Sequence, residues 1–136
     1  MAEREPKELY FEEGGKLFKV GECEYADFAS RIMSKRERDF RGLTTSKLRG
    51  IYAHIVNLNS RMGSQEEFEG LKGDLQYLKV KMAYDAGRED AVRSFLDRTH
   101  LMAMLDRIAT YDQFLLYCRY AESLVAYFKF YGGKDK

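Results

Sequence analysis

The chain has 136 residues, of which 45% are hydrophobic, 14% aromatic and 33% charged, and its formal net charge is +1. That length suits one domain with a real core, and the aromatic content excludes wholesale disorder. A single proline fits a mainly helical protein, because proline breaks helix interiors.

Residues 1–21 read as a mixed-charge leader. Its apolar content, Leu9, Tyr10, Phe11, Leu17, Phe18 and Val20, is interrupted by Gly14, Gly15 and Gly21. A segment that docks weakly or stays mobile is expected there, ahead of one helical domain over residues 22–136. No strand pattern competes with helix beyond a few residues near Phe18.

Residues 24–40 carry Tyr25, Phe28, Ala29, Ile32 and Met33 at helical spacing. From Arg31 to Arg49 seven basic residues (31, 35, 36, 38, 41, 47 and 49) face only two acidic ones, Glu37 and Asp39. This is the strongest electrostatic feature of the chain. It is either a solvated face or a surface for phosphates. After a break at residues 42–45, Thr44 or Thr45 can cap a helix whose core stripe is Leu48, Ile51, Tyr52, Ile55, Leu58 and Met62. Lys47, His54 and Arg61 recur every seven residues and are expected on one exposed side.

Ser64 is the next cap, and Gln65, Glu66 and Glu67 put acid where the helix dipole favours it. The helix is expected to run on to about Ala86, with Phe68, Leu71, Leu75, Leu78, Met82 and Ala86 inward. Tyr77, Lys81, Tyr84 and Arg88 form an opposite stripe of alternating rings and cations. Such a stripe suits nucleic acid or is a packing face whose charged tips reach water. Gly87 ends that helix and Asp90 can cap another, with Val92, Phe95 and Leu96 inward. Beyond Thr99 the apolar residues spread all round. Either the helix breaks near His100 or its second half is buried on several sides.

Residues 110–133 form a last long helix with two apolar stripes. One holds Phe114, Cys118, Ala121, Val125 and Phe128; the other holds Tyr117, Tyr120, Leu124, Tyr127 and Tyr131. A helix apolar over half its circumference must pack on several neighbours. The sum is an all-α, compact bundle of about five helices with this one as its central post.

Chemistry is sparse. No phosphate-binding glycine motif, nucleophile–base arrangement or metal-ligand spacing occurs, so no catalytic residue, metal or cofactor is expected. Glu122, beside the apolar half of the last helix, reads as a member of an ion pair. Cys23 and Cys118, far apart and outside any C-x-x-C motif, read as free thiols in a reducing compartment. Without a signal-peptide core or a run of ~20 apolar residues, a cytoplasmic protein with no membrane partner is expected.

Two stretches carry a resemblance. They are Leu78-Lys79-Val80-Lys81-Met82-Ala83-Tyr84-Asp85-Ala86-Gly87-Arg88 and Glu122-Ser123-Leu124-Val125-Ala126-Tyr127-Phe128-Lys129-Phe130-Tyr131-Gly132-Gly133-Lys134. Together with the helix start Ser46-Lys47-Leu48-Arg49, they make residues 43–134 similar to the small subunit of type III-A CRISPR effector complexes, the Csm complex. The resemblance implies a non-catalytic helical subunit whose copies stack beside the other subunits and line the path of guide and target RNA. The residues it suggests for RNA contact are Lys47, Arg49, Lys79, Lys81 and Arg88, then Lys129 and Lys134. Arg31, Lys35, Arg36 and Arg38 form a second tier that rests on charge alone. Tyr84 and Tyr127 are expected to pack first. The other open alternative is a helical adaptor that touches only protein, its aromatic stripe being an oligomer surface.

Overall fold

The computed structural model describes residues 7–135; residues 1–6 of the expected leader and Lys136 of the basic tail lie outside them. An antiparallel hairpin, β1 (Glu8–Glu13) and β2 (Lys16–Gly21), is followed by eight helices. These are α1 (Tyr25–Met33), α2 (Arg36–Asp39), α3 (Thr45–Asn59), α4 (Gln65–Gly70), α5 (Lys72–Arg88), α6 (Asp90–Thr99), α7 (Leu101–Leu105) and α8 (Tyr111–Phe130).

The central post is α8. It packs against α1, α3, α4 and β1, and Phe114, Tyr117, Tyr120, Leu124 and Phe128 are at most 1% exposed. Each such side chain contributes roughly 1.5–3 kcal/mol by leaving water. Of the two expected stripes, the one through Tyr117, Tyr120 and Leu124 lies deepest, while Cys118 and Val125 are only half-buried. Thr110 and Gln113 close a reciprocal capping box at its start. Thr44 and Ser64 cap α3 and α4 as their sequence context suggests, accepting from the amides of Lys47 and Glu67.

Two expectations are corrected and one open alternative is decided. First, residues 8–21 are a firm hairpin. Gly14 and Gly15 sit at φ of 60° and 79°, the backbone that a two-residue turn matched to strand twist requires. The register pairs Phe11 with Phe18, and Leu9, Phe11 and Val20 are buried. The Gln113 amide donates to the Glu8 carbonyl at 3.0 Å, tying β1 to α8. Second, the helix expected over 64–86 is two, parted at Leu71 between Gly70 and Gly73, where helix is weakest. Likewise the first helix ends at Met33, and a single turn, α2, follows it.

Of the two readings left open beyond Thr99, the break is the one the structure takes: the chain breaks at His100, which has φ 63° and is the one non-glycine residue at positive φ among those described. Two buried hydroxyls hold the break from either side. Tyr120 donates to the Thr99 carbonyl at 2.7 Å, and Tyr117 to the Leu101 carbonyl at 2.9 Å. The bundle therefore has more and shorter helices than expected around the same post.

Gly50 lies mid-α3, exposed, with nothing within 4 Å of where a Cβ would stand. Gly50→Ala is expected to raise stability by about 0.5–1 kcal/mol in urea unfolding, because alanine loses less backbone entropy there.

Candidate nucleic-acid interface

The outer face of α5 keeps its aromatic rings in solvent. Tyr77 and Tyr84 are 57% and 66% exposed, so Tyr84 is not a packing residue. Four residues on, one turn of helix, each ring meets a cation. Lys81 Nζ lies 4.9 Å from the Tyr77 ring centre, and Arg88 Cζ lies 5.5 Å from that of Tyr84. A ring orients a cation without cancelling its charge. Neither Lys81 nor Arg88 makes an ion pair among the described residues.

The stripe of Lys47 and His54 on α3, with Arg61 just past its end, is not a free side. It faces α5 and the Glu89 that follows it across a ladder: Lys47 to Glu89 at 2.5 Å, His54 to Asp85 at 3.1 Å and Arg61 to Asp74 at 3.7 Å. Lys47 Nζ also donates to the Gly42 carbonyl at 3.1 Å. Lys47 and Arg88 share a shallow cavity of about 170 Å³ with Asp85 and Glu89.

The tail returns to the start of α3. Gly132, at φ 87°, turns the chain after α8. The amides of Thr45 and Ser46 then donate to the carbonyls of Lys134 and Asp135, at 2.8 and 3.4 Å. This brings the exposed Lys134 side chain beside Arg41, in a second shallow cavity of about 370 Å³ that Arg36 and Thr44 also line. Arg49 stands near Asp135, whose carboxyl is held low first by a hydrogen bond from Lys129 and in smaller part by Arg49.

The expected residues thus separate. Lys81, Arg88, Arg49 and Lys134 are exposed or half-buried cations without an ion pair among the described residues, and Arg88 shares the cavity of Lys47. Lys79 is paired with Asp106, and Lys129 with Asp135 at 2.7 Å. Of the second tier, Arg36 turns inward: its Nε donates to the Tyr131 carbonyl at 2.8 Å and its guanidinium lies over the Phe128 ring. Arg38 holds Asp39 at 3.0 Å. Arg31 and Lys35 line a separate cleft. Arg41 was counted in the basic run but not singled out for contact; its place opposite Lys134 depends on the returning tail, which no local pattern reveals.

Among the described residues no set of three or more His, Cys, Asp or Glu could hold a metal. Cys23 and Cys118 are free thiols, and burial pushes the Cys118 thiol up to about 12, keeping it protonated and unreactive. Glu122 is exposed and makes no ion pair among the described residues, contrary to expectation. No helix among the described residues is long and apolar enough to cross a membrane.

Fold and surface together define a small helical protein whose organised surface feature is a group of cations at the α3–α5 edge. The chain matches the family model described as Csm2 Type III-A over residues 24–134. It is 40% identical over 114 residues to the "CRISPR system Cms protein Csm2" of Streptococcus thermophilus, covering 82% of this chain and 93% of that one. The protein of the same name from Enterococcus italicus is 38% identical over 130 residues, with 83% and 93% covered. That of Mycobacterium tuberculosis is 36% identical over 110 residues, with 78% and 88% covered. The chain belongs to the Csm2 family, the small subunit of type III-A CRISPR complexes.

Proposed function

We propose that the cationic edge formed by Arg41, Lys134, Arg49, Lys47, Arg88 and Lys81 grips RNA by its sugar–phosphate backbone, whatever the sequence, inside a type III-A interference complex. In that setting the RNA is the guide and its paired target, and the subunit serves antiviral defence in the cytoplasm without catalysis of its own. Base pairing supplies sequence specificity, so a backbone grip suffices. Other subunits and further copies of this chain are its protein partners, and arrayed copies convert a weak grip into useful affinity. The observation that carries the proposal is five cations free of ion pairs among the described residues: Lys81 and Arg88 on the outer face of α5, Arg49 on α3, and Arg41 and Lys134 lining one cavity. Lys79 and Lys129, paired with carboxylates, add less net charge to it.

Titration of the purified protein with single-stranded RNA tests this. Five phosphates neutralised predict a slope of log affinity against log salt of about −3.5. Lys81→Glu with Arg88→Glu should weaken binding by at least about tenfold and flatten that slope. Binding indifferent to salt and to both changes would refute the proposal.

One observation favours a protein-contacting role as a second reading. Phe130 is 73% exposed beside Tyr127 and Tyr131 at the end of α8. Loss of self-association or of complex assembly in Phe130→Ser, with RNA affinity unchanged, would assign that end to protein.

A further inference from the structure

A cavity of about 480 Å³ opens between the hairpin, α1 and α6, and none of its lining belongs to the cationic edge. One wall is aromatic. The His100 ring stacks on Phe11 with centres 3.9 Å apart and planes 9° off parallel, and Phe28 stands 6.4 Å away. The break at His100 holds this ring in place: its left-handed backbone is fixed by the two tyrosine hydroxyls on the neighbouring carbonyls. A non-glycine residue at positive φ is uncommon, and here buried partners hold it. Burial lowers the imidazole pKa, so the ring is neutral and stacks as an aromatic rather than acting as a cation.

Three cations reach the same cleft. Arg31 comes from α1, Lys35 from the turn between α1 and α2, and Arg98 from α6. None of them makes an ion pair among the described residues. The acids of the cleft balance them. Asp39 is bound by Arg38, Glu13 lies 3.6 Å from His100 Nε2, and Asp97 flanks Arg98 in sequence.

A simple polyanion would meet these carboxylates and be repelled. An occupant with one phosphate, a flat ring and hydroxyl donors would meet each group with its complement. The geometry points to a binding site for a ribonucleoside monophosphate: phosphate between Arg31, Lys35 and Arg98, base against Phe28 and His100, and ribose hydroxyls donating to Glu13 or Asp97. Guanidinium groups grip phosphate through paired hydrogen bonds, and carboxylates hold ribose diols in nucleotide folds. The volume is at the low end for ligand sites, room for one nucleotide but not a chain of them. The occupant is either a free nucleotide or the 5′-phosphorylated end of an RNA strand.

Titration of the isotope-labelled full chain with AMP, followed by NMR, tests the site. Shifts are expected at Arg31, Arg98 and His100, saturating with millimolar AMP. Adenosine, inorganic phosphate and ATP should each bind at least about tenfold more weakly, the first two for want of one half of the ligand and ATP through repulsion by the acids. Arg98→Ala should weaken AMP about tenfold. His100→Asn keeps the left-handed backbone, which asparagine tolerates, and should weaken AMP roughly fivefold by losing the stack. Thermal melts of both variants confirm that they fold.

A short RNA bearing a 5′-phosphate separates the sources. If it binds more tightly than AMP, loses affinity in Arg98→Ala, and fails to bind with a 5′-hydroxyl, the occupant is a strand end. If AMP alone binds, it is the free nucleotide. Absence of cleft shifts with AMP, or equal AMP affinity in folded Arg98→Ala, overturns the inference. So do cleft shifts that follow protein concentration and ignore AMP, which would mean that another copy covers the cleft. RNA gripping by the α3–α5 edge is untouched by any of these results.

Discussion

Raising the pH beyond 10 is expected to unfold the protein steeply. Burial pushes the phenols of Tyr117 and Tyr120 well above their ordinary value of 10.0, and the Cys118 thiol from 9.0 to about 12. In each case the fold favours the protonated, neutral form. Its stabilising share is complete below the unfolded-state pKa and is lost as pH rises toward the folded one. Loss therefore begins near pH 9 with Cys118 and deepens near pH 10 with the tyrosines. Each proton the unfolded state releases first adds about 1.4 kcal/mol per pH unit, so the three together reach about 4 kcal/mol per unit.

Urea unfolding at a series of pH values measures this directly. Tyr120→Phe should cost about 1–3 kcal/mol at neutral pH, because it leaves the buried Thr99 carbonyl unpaired. It should also remove one proton from the alkaline slope. Stability that stays flat well beyond pH 10 would show that the tyrosine hydroxyls reach water.

Gly133→Ala is the second large effect. A Cβ at Gly133 would stand 2.2 Å from the Phe128 ring, and Phe128 is 1% exposed and has no room to retreat. The Gly133 amide donates to the Phe128 carbonyl at 2.8 Å, so the backbone cannot swing away without losing that bond. Overpacking of this kind costs about 1–3 kcal/mol, or roughly 5–10 °C in Tm. The damage should spread, because the same segment supplies the carbonyls that receive the Thr45 and Ser46 amides. Exchange protection at those two amides should fall in step with Tm. A variant as stable as the parent would mean that the tail does not close on α8 in solution.

The helical part was legible because helices write themselves locally. The stripe from Leu48 to Leu58, the caps at Thr44 and Ser64, and the apolar width of α8 all follow from spacing. Interruptions were harder to see. Gly70 and Gly73 straddle Leu71 without breaking the apolar stripe, so the pattern runs straight through the split. The hairpin was missed although Gly14-Gly15 between two short apolar runs is a turn signal, because the runs are rich in charge and β2 buries only its end.

The surface was legible in one dimension only. Periodicity placed Lys47, His54 and Arg61 on one side of one expected helix but said nothing of what lies across from it. Of the acids that meet them, Asp74 and Asp85 sit on α5 and Glu89 just past its end. For the same reason the pairing of Lys79 with Asp106 was invisible, and so was the meeting of Arg41 with Lys134. The stripe of Tyr77, Lys81, Tyr84 and Arg88 was readable because all four residues belong to one helix.

The returning tail sets the order in which the molecule can be finished. The amides of Thr45 and Ser46 at the start of α3 find their acceptors only in residues 134 and 135, so a nascent chain cannot close that end of α3 until those residues are made. A chain stalled on the ribosome before Gly132 should hold α3 frayed at its start, and emergence of residues 132–135 should lock both ends in one late step. Prematurely terminated copies would then betray themselves to proteases, keeping fragments out of any assembly that counts on intact subunits.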